Sequence, residues 1–269
     1  MLGSSRESLA ACQEGLDALR QDADFGQVAA DLFAAAGVLD VEGQLRNTLA
    51  DSGQPAAVRE GLVRQIFGDR VGELAVTVLV MATARRWSSD LDLVLAIELL
   101  ADQAAFTVAE ANGSLDTTEE ELFLFSRALD SSPALQMALT DPSQSVQTKA
   151  AIVRDLLGGR ASATTDQVLQ YAVGHLHGRR IDAVVEDLGN LAATQRERVV
   201  AEVRVAAPLD AAQEARLSEL LGRLKGRTVQ LNVAVDPSVL GGVHVKIGDE
   251  VIDGTIASRL EQARRAVLG

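Results

Sequence analysis

Apolar positions recur with one period up to about residue 197 and with another after it. In the first part they fall three and four apart, the spacing of amphipathic helices. Thr117 with Glu120 has the spacing of a capping box and predicts the start of a helix whose apolar positions are Leu122, Phe123, Phe125 and Leu129. Ser132-Pro133 predicts an N-cap followed by proline at the first helical position, for a short helix through Leu139. Asp141-Pro142-Ser143 restarts the chain. Ala151, Ile152, Leu156 and Leu157 form the next stripe, which Gly158-Gly159 ends. Val168, Leu169, Ala172, Val173 and Leu176 supply another helix, stopped near Gly178, and Ile181, Val184, Val185, Leu188 and Leu191 supply the last. Connections this short imply antiparallel neighbours around an Ala/Leu core.

After residue 197 the pattern alternates. Val199, Ala201, Val203 and Val205 share one face of a strand, with Glu202 and Arg204 on the other. Asp210 caps a helix with the stripe Leu217, Leu220, Leu221 and Leu224, closed by Gly226; "TVQLNVAV" is a second strand. Val243 to Ile247 make a third, Gly248-Asp249-Glu250 turns, and Val251-Ile252 returns. Thr255 is placed to cap a final helix with Ile256, Leu260, Ala263 and Val267 on one face.

The helical part is written twice. "DLFAAAGVLDVEGQLRNTLADSG" from Asp31 and "ELFLFSRALDSSPALQMALTDPS" from Glu121 align at a separation of 90, and the register holds from Arg59–Arg70 to Lys149–Arg160. Four extra residues then shift it to 94, so that Arg85-Arg86-Trp87 meets Arg179-Arg180-Ile181. The reading is therefore mainly α: two tandem antiparallel helix bundles, residues 1–112 and 113–197, followed by a small C-terminal α/β domain, residues 198–269, with a β-hairpin and a terminal amphipathic helix.

Composition narrows what such a chain can do. Aromatics are 3% of 269 residues and the formal net charge is −13, so stacking platforms and clustered cations for nucleic acid are lacking. The charge is uneven: residues 1–118 carry 18 acidic and 8 basic side chains and no lysine, a net of −10, which reads first as a solvated acidic surface and second as a face for a basic partner. The single Cys12 suits a reducing compartment and a helix interior. The N-terminus has no apolar run of signal-peptide length, and "ELAVTVLVMATA" from Glu73 falls short of the ~20 residues that span a bilayer.

Motifs of catalysis are missing. There is no phosphate-cradling G-x-x-x-x-G-K-[ST], no strand-coupled G-x-G-x-x-G and no G-x-S-x-G. His175-Leu176-His177 is the best metal candidate, but residues two apart on a helix point in different directions. Asp249, Glu250 and Asp253 belong to a hairpin tip, and Trp87 reads as an anchoring aromatic beside the solvated Arg85 and Arg86. No catalytic residue, cofactor site or metal site is assigned.

The ending carries a specific motif. "VAVDPSVLGGVHVKIGDEVIDGTIASRLEQARR" closely resembles the C-terminal signature of the delta subunit of bacterial F-type ATP synthases, a family related to the mitochondrial oligomycin-sensitivity-conferring protein. The signature falls on Asp236, Pro237, Gly241, Gly242, Gly248, Asp249, Val251, Ile252, Asp253, Gly254, Arg259 and Leu260, with Thr255 where serine is common. The bundle before it is also like the family's helical domain, so the resemblance covers residues 113–269. The extra copy in front matches longer delta subunits of some bacterial lineages.

The resemblance implies a non-catalytic stator, without cofactors. Its helical domain would grip N-terminal segments of alpha subunits on the catalytic head, and its C-terminal part would hold the b subunit of the stalk. Membrane association would be indirect, at the cytoplasmic face of the cell membrane, and a separate b subunit is implied because residues 1–30 hold no transmembrane helix. The signature residues would then be structural and docking elements. Two rival classes are a generic α-helical adaptor, which would leave proton coupling untouched, and a metal enzyme built on His175 and His177, which would retain stoichiometric metal.

Overall fold

The computed structural model describes residues 3–20, 24–197, 199–225, 229–236, 239, 241–247 and 250–253. They divide into two compact units at residues 195 and 196.

Among the described residues, eleven helices precede the first strand: α1 (Ser4–Ala18), α2 (Phe25–Val41), α3 (Gly43–Ala50), α4 (Ala56–Phe67), α5 (Glu73–Ala84), α6 (Asp90–Ala111), α7 (Leu115–Ser131), α8 (Pro133–Thr140), α9 (Val146–Leu157), α10 (Ala163–Gly174) and α11 (Ile181–Glu197). The repeat is visible in their bounds: α2, α3, α4 and α5 begin and end 90 residues before α7, α8, α9 and α10.

It is visible in the bonding too. Asp31 of α2 accepts from the backbone N–H of Gly72, just before α5, at 2.7 Å; Glu121 of α7 accepts from that of Ser162, just before α10, at 3.0 Å. In each copy a carboxylate thus sits at the positive end of a helix dipole. Asp51 and Asp141 each accept from the amide two residues on at 2.8 Å, so the same Asx turn leads from α3 to α4 and from α8 to α9.

The last helix departs from the motif alignment. α11 begins 91 residues after α6, and at that offset its buried Val184, Val185, Leu188 and Ala192 fall on the buried Leu93, Val94, Ile97 and Ala101. Pairing the two Arg-Arg dipeptides at 94 aligned loop residues, which no packing holds in step.

Helix ends follow the local chemistry. Ser132 caps α8 by accepting from the Leu135 amide, with Pro133 at the first helical position. Gly158 closes α9 with φ of 59°. α6 ends in a Schellman motif: Gly113 has φ of 68°, its N–H donates to Glu110, and the Ser114 N–H donates to Ala109 at 2.8 Å. That motif moves the start of α7 to Leu115, so Thr117 lies inside the helix instead of capping it. The stripe of α9 is also rotated from the expected one. Lys149 and Val153 are buried and Leu156 is exposed.

One continuous apolar core runs through the unit, from Cys12 and Leu16 on α1 to Leu188 and Ala192 on α11. The two helical copies share it. α6 packs against α1, α2, α3 and α5 on one side of the repeat boundary and against α7 and α10 on the other. Trp87 is buried as expected, its indole N–H donating to the Ala82 carbonyl at 2.8 Å. Burial pushes the Cys12 thiol up to about 11, as fits an inert core residue.

The second unit holds β1 (Val199–Val205), α12 (Ala211–Lys225), β2 (Val229–Val235), β3 (Val243–Ile247) and β4 (Glu250–Asp253). The sheet order is β2-β1-β3-β4. β1 and β2 are parallel and joined through α12; β3 pairs antiparallel with β1 and with β4. The expected inward face of β1 packs as Ala201, Val203 and Val205 against Leu221, Val245 and Ile247. Asp210 and Gln213 form a reciprocal cap at the start of α12, each side chain accepting from the other's backbone N–H. Leu220 and Leu224 are exposed, so the buried stripe of α12 is narrower than its sequence suggests.

Candidate functional site

The signature residues divide between described and undescribed positions. Asp236 follows β2, and its N–H donates to the Val205 carbonyl at 2.8 Å, tying the end of β2 to the end of β1. Gly241 and Gly242 take φ of 74° and 88°, a left-handed pair that L side chains resist, and they turn the chain into β3. Asp253 is the last residue of β4, in register with His244. Pro237, Gly248, Asp249, Gly254, Arg259 and Leu260 lie outside the described residues, as do Thr255, Ile256, Ala263 and Val267 of the expected final helix.

A concavity lies elsewhere. A groove of about 580 Å³ runs between α6 and α11 in the helical unit. α6 lines it with Leu95, Glu98, Leu99 and Asp102, spaced i, i+3, i+4 and i+7, and α11 lines it with Val184, Asp187, Leu188, Leu191 and Thr194. Tyr171 and Ala172 from α10, with His175 just after it, close one side. The lining mixes leucines with charged and polar side chains, His177, Arg179 and Asn190 among them, a pattern that periodicity could reveal only once the helices were known to face the same groove.

Part of that lining is a polar cluster that joins the two helical copies. α10 ends at Gly174, so His175 and His177 lie in the following turn and not on a helix as expected. His177 has φ of 49°, which lets its ring turn back against α6 and α2. Its Nε2 faces the Glu98 carboxylate at 2.9 and 3.0 Å and its Nδ1 faces Asp40 at 3.4 Å. With both ring nitrogens facing carboxylates, the imidazolium is favoured, and the hydrogen bond to Glu98 holds the His177 pKa above its ordinary value. Tyr171 donates its hydroxyl to Glu98 at 2.9 Å; burial and that carboxylate push its own pKa up, so it stays a neutral donor. Burial, with Glu98 nearby, also raises Asp102 well above the carboxylate range. His175 stacks on Tyr171 with ring centroids 4.0 Å apart, and its Nδ1 meets the Tyr171 carbonyl at 2.9 Å.

The two histidine rings are 6.5 Å apart and serve different partners. Among the described residues no group of three or more His, Cys, Asp or Glu is arranged to hold a metal ion, and no helix is long and apolar enough to cross a membrane.

The groove combines four leucines with charged and polar side chains and holds no recognisable catalytic arrangement among the described residues. The comparisons with known proteins give the class. Residues 101–267 match the family described as ATP synthase delta (OSCP) subunit. Curated relatives match along nearly their whole length. ATP synthase subunit delta of Streptomyces avermitilis is 45% identical over 98% of this chain and 97% of its own, and that of Parafrankia is 42% identical over 99% of each. A chain in the cryo-EM structure of the Toxoplasma gondii mitochondrial ATP synthase hexamer aligns with 62% of this chain and 95% of its own at 20% identity, with a TM-score of 0.28, too low an overlap to bear on the fold. The chain belongs to the ATP synthase delta (OSCP) subunit family, as a non-catalytic stator subunit. The family match begins inside α6, so it takes in only the end of the first helical copy.

Proposed function

We propose that this chain links the catalytic head of the ATP synthase to the b subunit of its membrane sector, from the cytoplasmic face of the cell membrane. The groove between α6 and α11 receives an amphipathic helix at the N-terminus of an alpha subunit. Leu95, Leu99, Leu188 and Leu191 meet its apolar face. The α/β unit holds the end of b, with the exposed Leu220 and Leu224 of α12 as contact area and Asp236, Gly241 and Gly242 as its frame. In this reading α6 and residues 113–197 together grip the head, the rest of residues 1–112 extends the reach along the stalk, and residues 198–269 grip b. The observation that carries it is the groove: leucines at helical spacing on two facing helices fit a helix better than they fit a small polar ligand.

The test is binding of the full chain to a synthetic peptide of the alpha N-terminal segment, measured by calorimetry. Leu99→Asp with Leu191→Asp is expected to weaken binding by roughly a hundredfold, in line with losing two buried leucine contacts. Unchanged affinity in a variant that still unfolds cooperatively overturns the groove assignment. For the other end, truncation after residue 197 is expected to abolish capture by b, and b binding that survives it refutes that half.

A further inference from the structure

The repeat gives each position of α2 to α5 a counterpart 90 residues away, and at one stripe the two counterparts lie in opposite surroundings. On α2, Phe33, Gly37 and Asp40 share a face at i, i+4 and i+7. All three are met by the segment that ends α10. The Phe33 ring lies 4.4 Å from that of Tyr171, a Cβ at Gly37 would stand 3.8 Å from His175 Nε2, and Asp40 faces His177.

On α7 the same three positions are Phe123, Arg127 and Asp130, and all are exposed. Phe123 is 61% exposed against 6% for Phe33, and Leu124 beside it is 57% exposed. The cause is in the topology. The first copy's stripe is covered by a segment of the second copy, and among the described residues there is no third copy to cover the second's.

We propose that this α7 stripe is a docking surface for an amphipathic helix of another subunit of the complex, supplying there what Tyr171, His175 and His177 supply on α2. The differences between the stripes define the occupant. Phe123 calls for an aromatic or long aliphatic side chain, as Tyr171 provides for Phe33. Arg127 replaces Gly37, so in place of a close ring contact the occupant presents a carboxylate; Arg127 meets no carboxylate at ion-pair distance among the described residues. Asp130 keeps the charge of Asp40 and calls for a cation, the part His177 plays inside the molecule. The occupant therefore carries apolar, acidic and basic groups in that order along about two turns. This surface is separate from the groove between α6 and α11 and does not depend on how that groove is used.

The test is photocrosslinking in the purified, assembled ATP synthase, with photoreactive benzoylphenylalanine in place of Phe123 in the full chain. The expected product joins position 123 to a helix of another subunit, within one turn of an acidic residue. A product with a second copy of this chain, or no product beyond solvent quenching, overturns the proposal. In parallel, Phe123→Ser with Arg127→Glu is expected to leave the thermal midpoint of the isolated chain within about 1 °C, as suits exposed positions. It is expected to lower the chain's retention in the washed complex roughly tenfold, the effect of one lost anchor. Retention equal to that of the unaltered chain overturns it equally.

Discussion

His177 is where one residue holds two helical copies together. It sits in a turn of the second copy, yet both of its ring nitrogens face carboxylates of the first, Glu98 and Asp40, with Tyr171, Asp102 and Arg179 around it. Its pKa is raised on folding from an ordinary 6.5. The contribution of the charged ring is therefore complete below about pH 6.5 and is lost as pH climbs through the raised value. His177→Asn keeps a residue that tolerates positive φ and removes the charge. It is expected to cost about 1–3 kcal/mol at pH 6 and clearly less at pH 8.5, read as a gap between the melting curves of the two proteins that narrows with pH. The sequence could not show this. A His-x-His read as part of a helix has no visible partner, and the groups that recruit His177 lie 79 and 137 residues away in the chain.

At the scale of the element, caps and repeats were legible and solvent-facing stripes were not. Ser132-Pro133, Gly158 and the Asp210 cap act as read, because each depends on groups within four residues. Leu156, Leu220, Leu224 and Phe123 looked like core positions and are exposed, because which side of a helix is covered depends on distant neighbours. Two glycines show the same dependence with opposite signs. A Cβ at Gly174, at the end of α10, would lie 2.6 Å from Val146 Cγ1, whose β-branched side chain cannot swing away freely; Gly174→Ala is expected to destabilise by about 1–3 kcal/mol. Gly189, inside α11, has open space at that position, and Gly189→Ala is expected to stabilise by about 0.5–1 kcal/mol. Thermal denaturation of the pair should move the midpoint in opposite directions, and a shift of the same sign would show that packing around these sites differs from that described.

At the scale of the molecule, the sequence reads as two bundles in tandem, whereas the packing joins them through one core. The repeat itself is plain from sequence. Its consequence, that the second copy covers the first, is a property of tertiary contacts between Phe33, Glu98, Tyr171 and His177 that no periodicity records. A chain ending at residue 195 is therefore expected to unfold in a single calorimetric transition that takes both copies with it, the calorimetric and van't Hoff enthalpies agreeing. Two resolved transitions would mean that the copies fold independently. Severing the chain between α6 and α7, at residues 112 and 113, should leave neither half with a cooperative transition, since each would expose apolar surface that the other now covers.

The long α6 packs against helices of both copies. Engineers avoid placing a joint where a strut must carry twist, and a strut that runs unbroken across a seam removes the joint. With α6 as that strut, the doubled helical region should respond to rotary load as one rigid member, with little angular play between its halves. The duplication then lengthens the part without introducing an elbow in it.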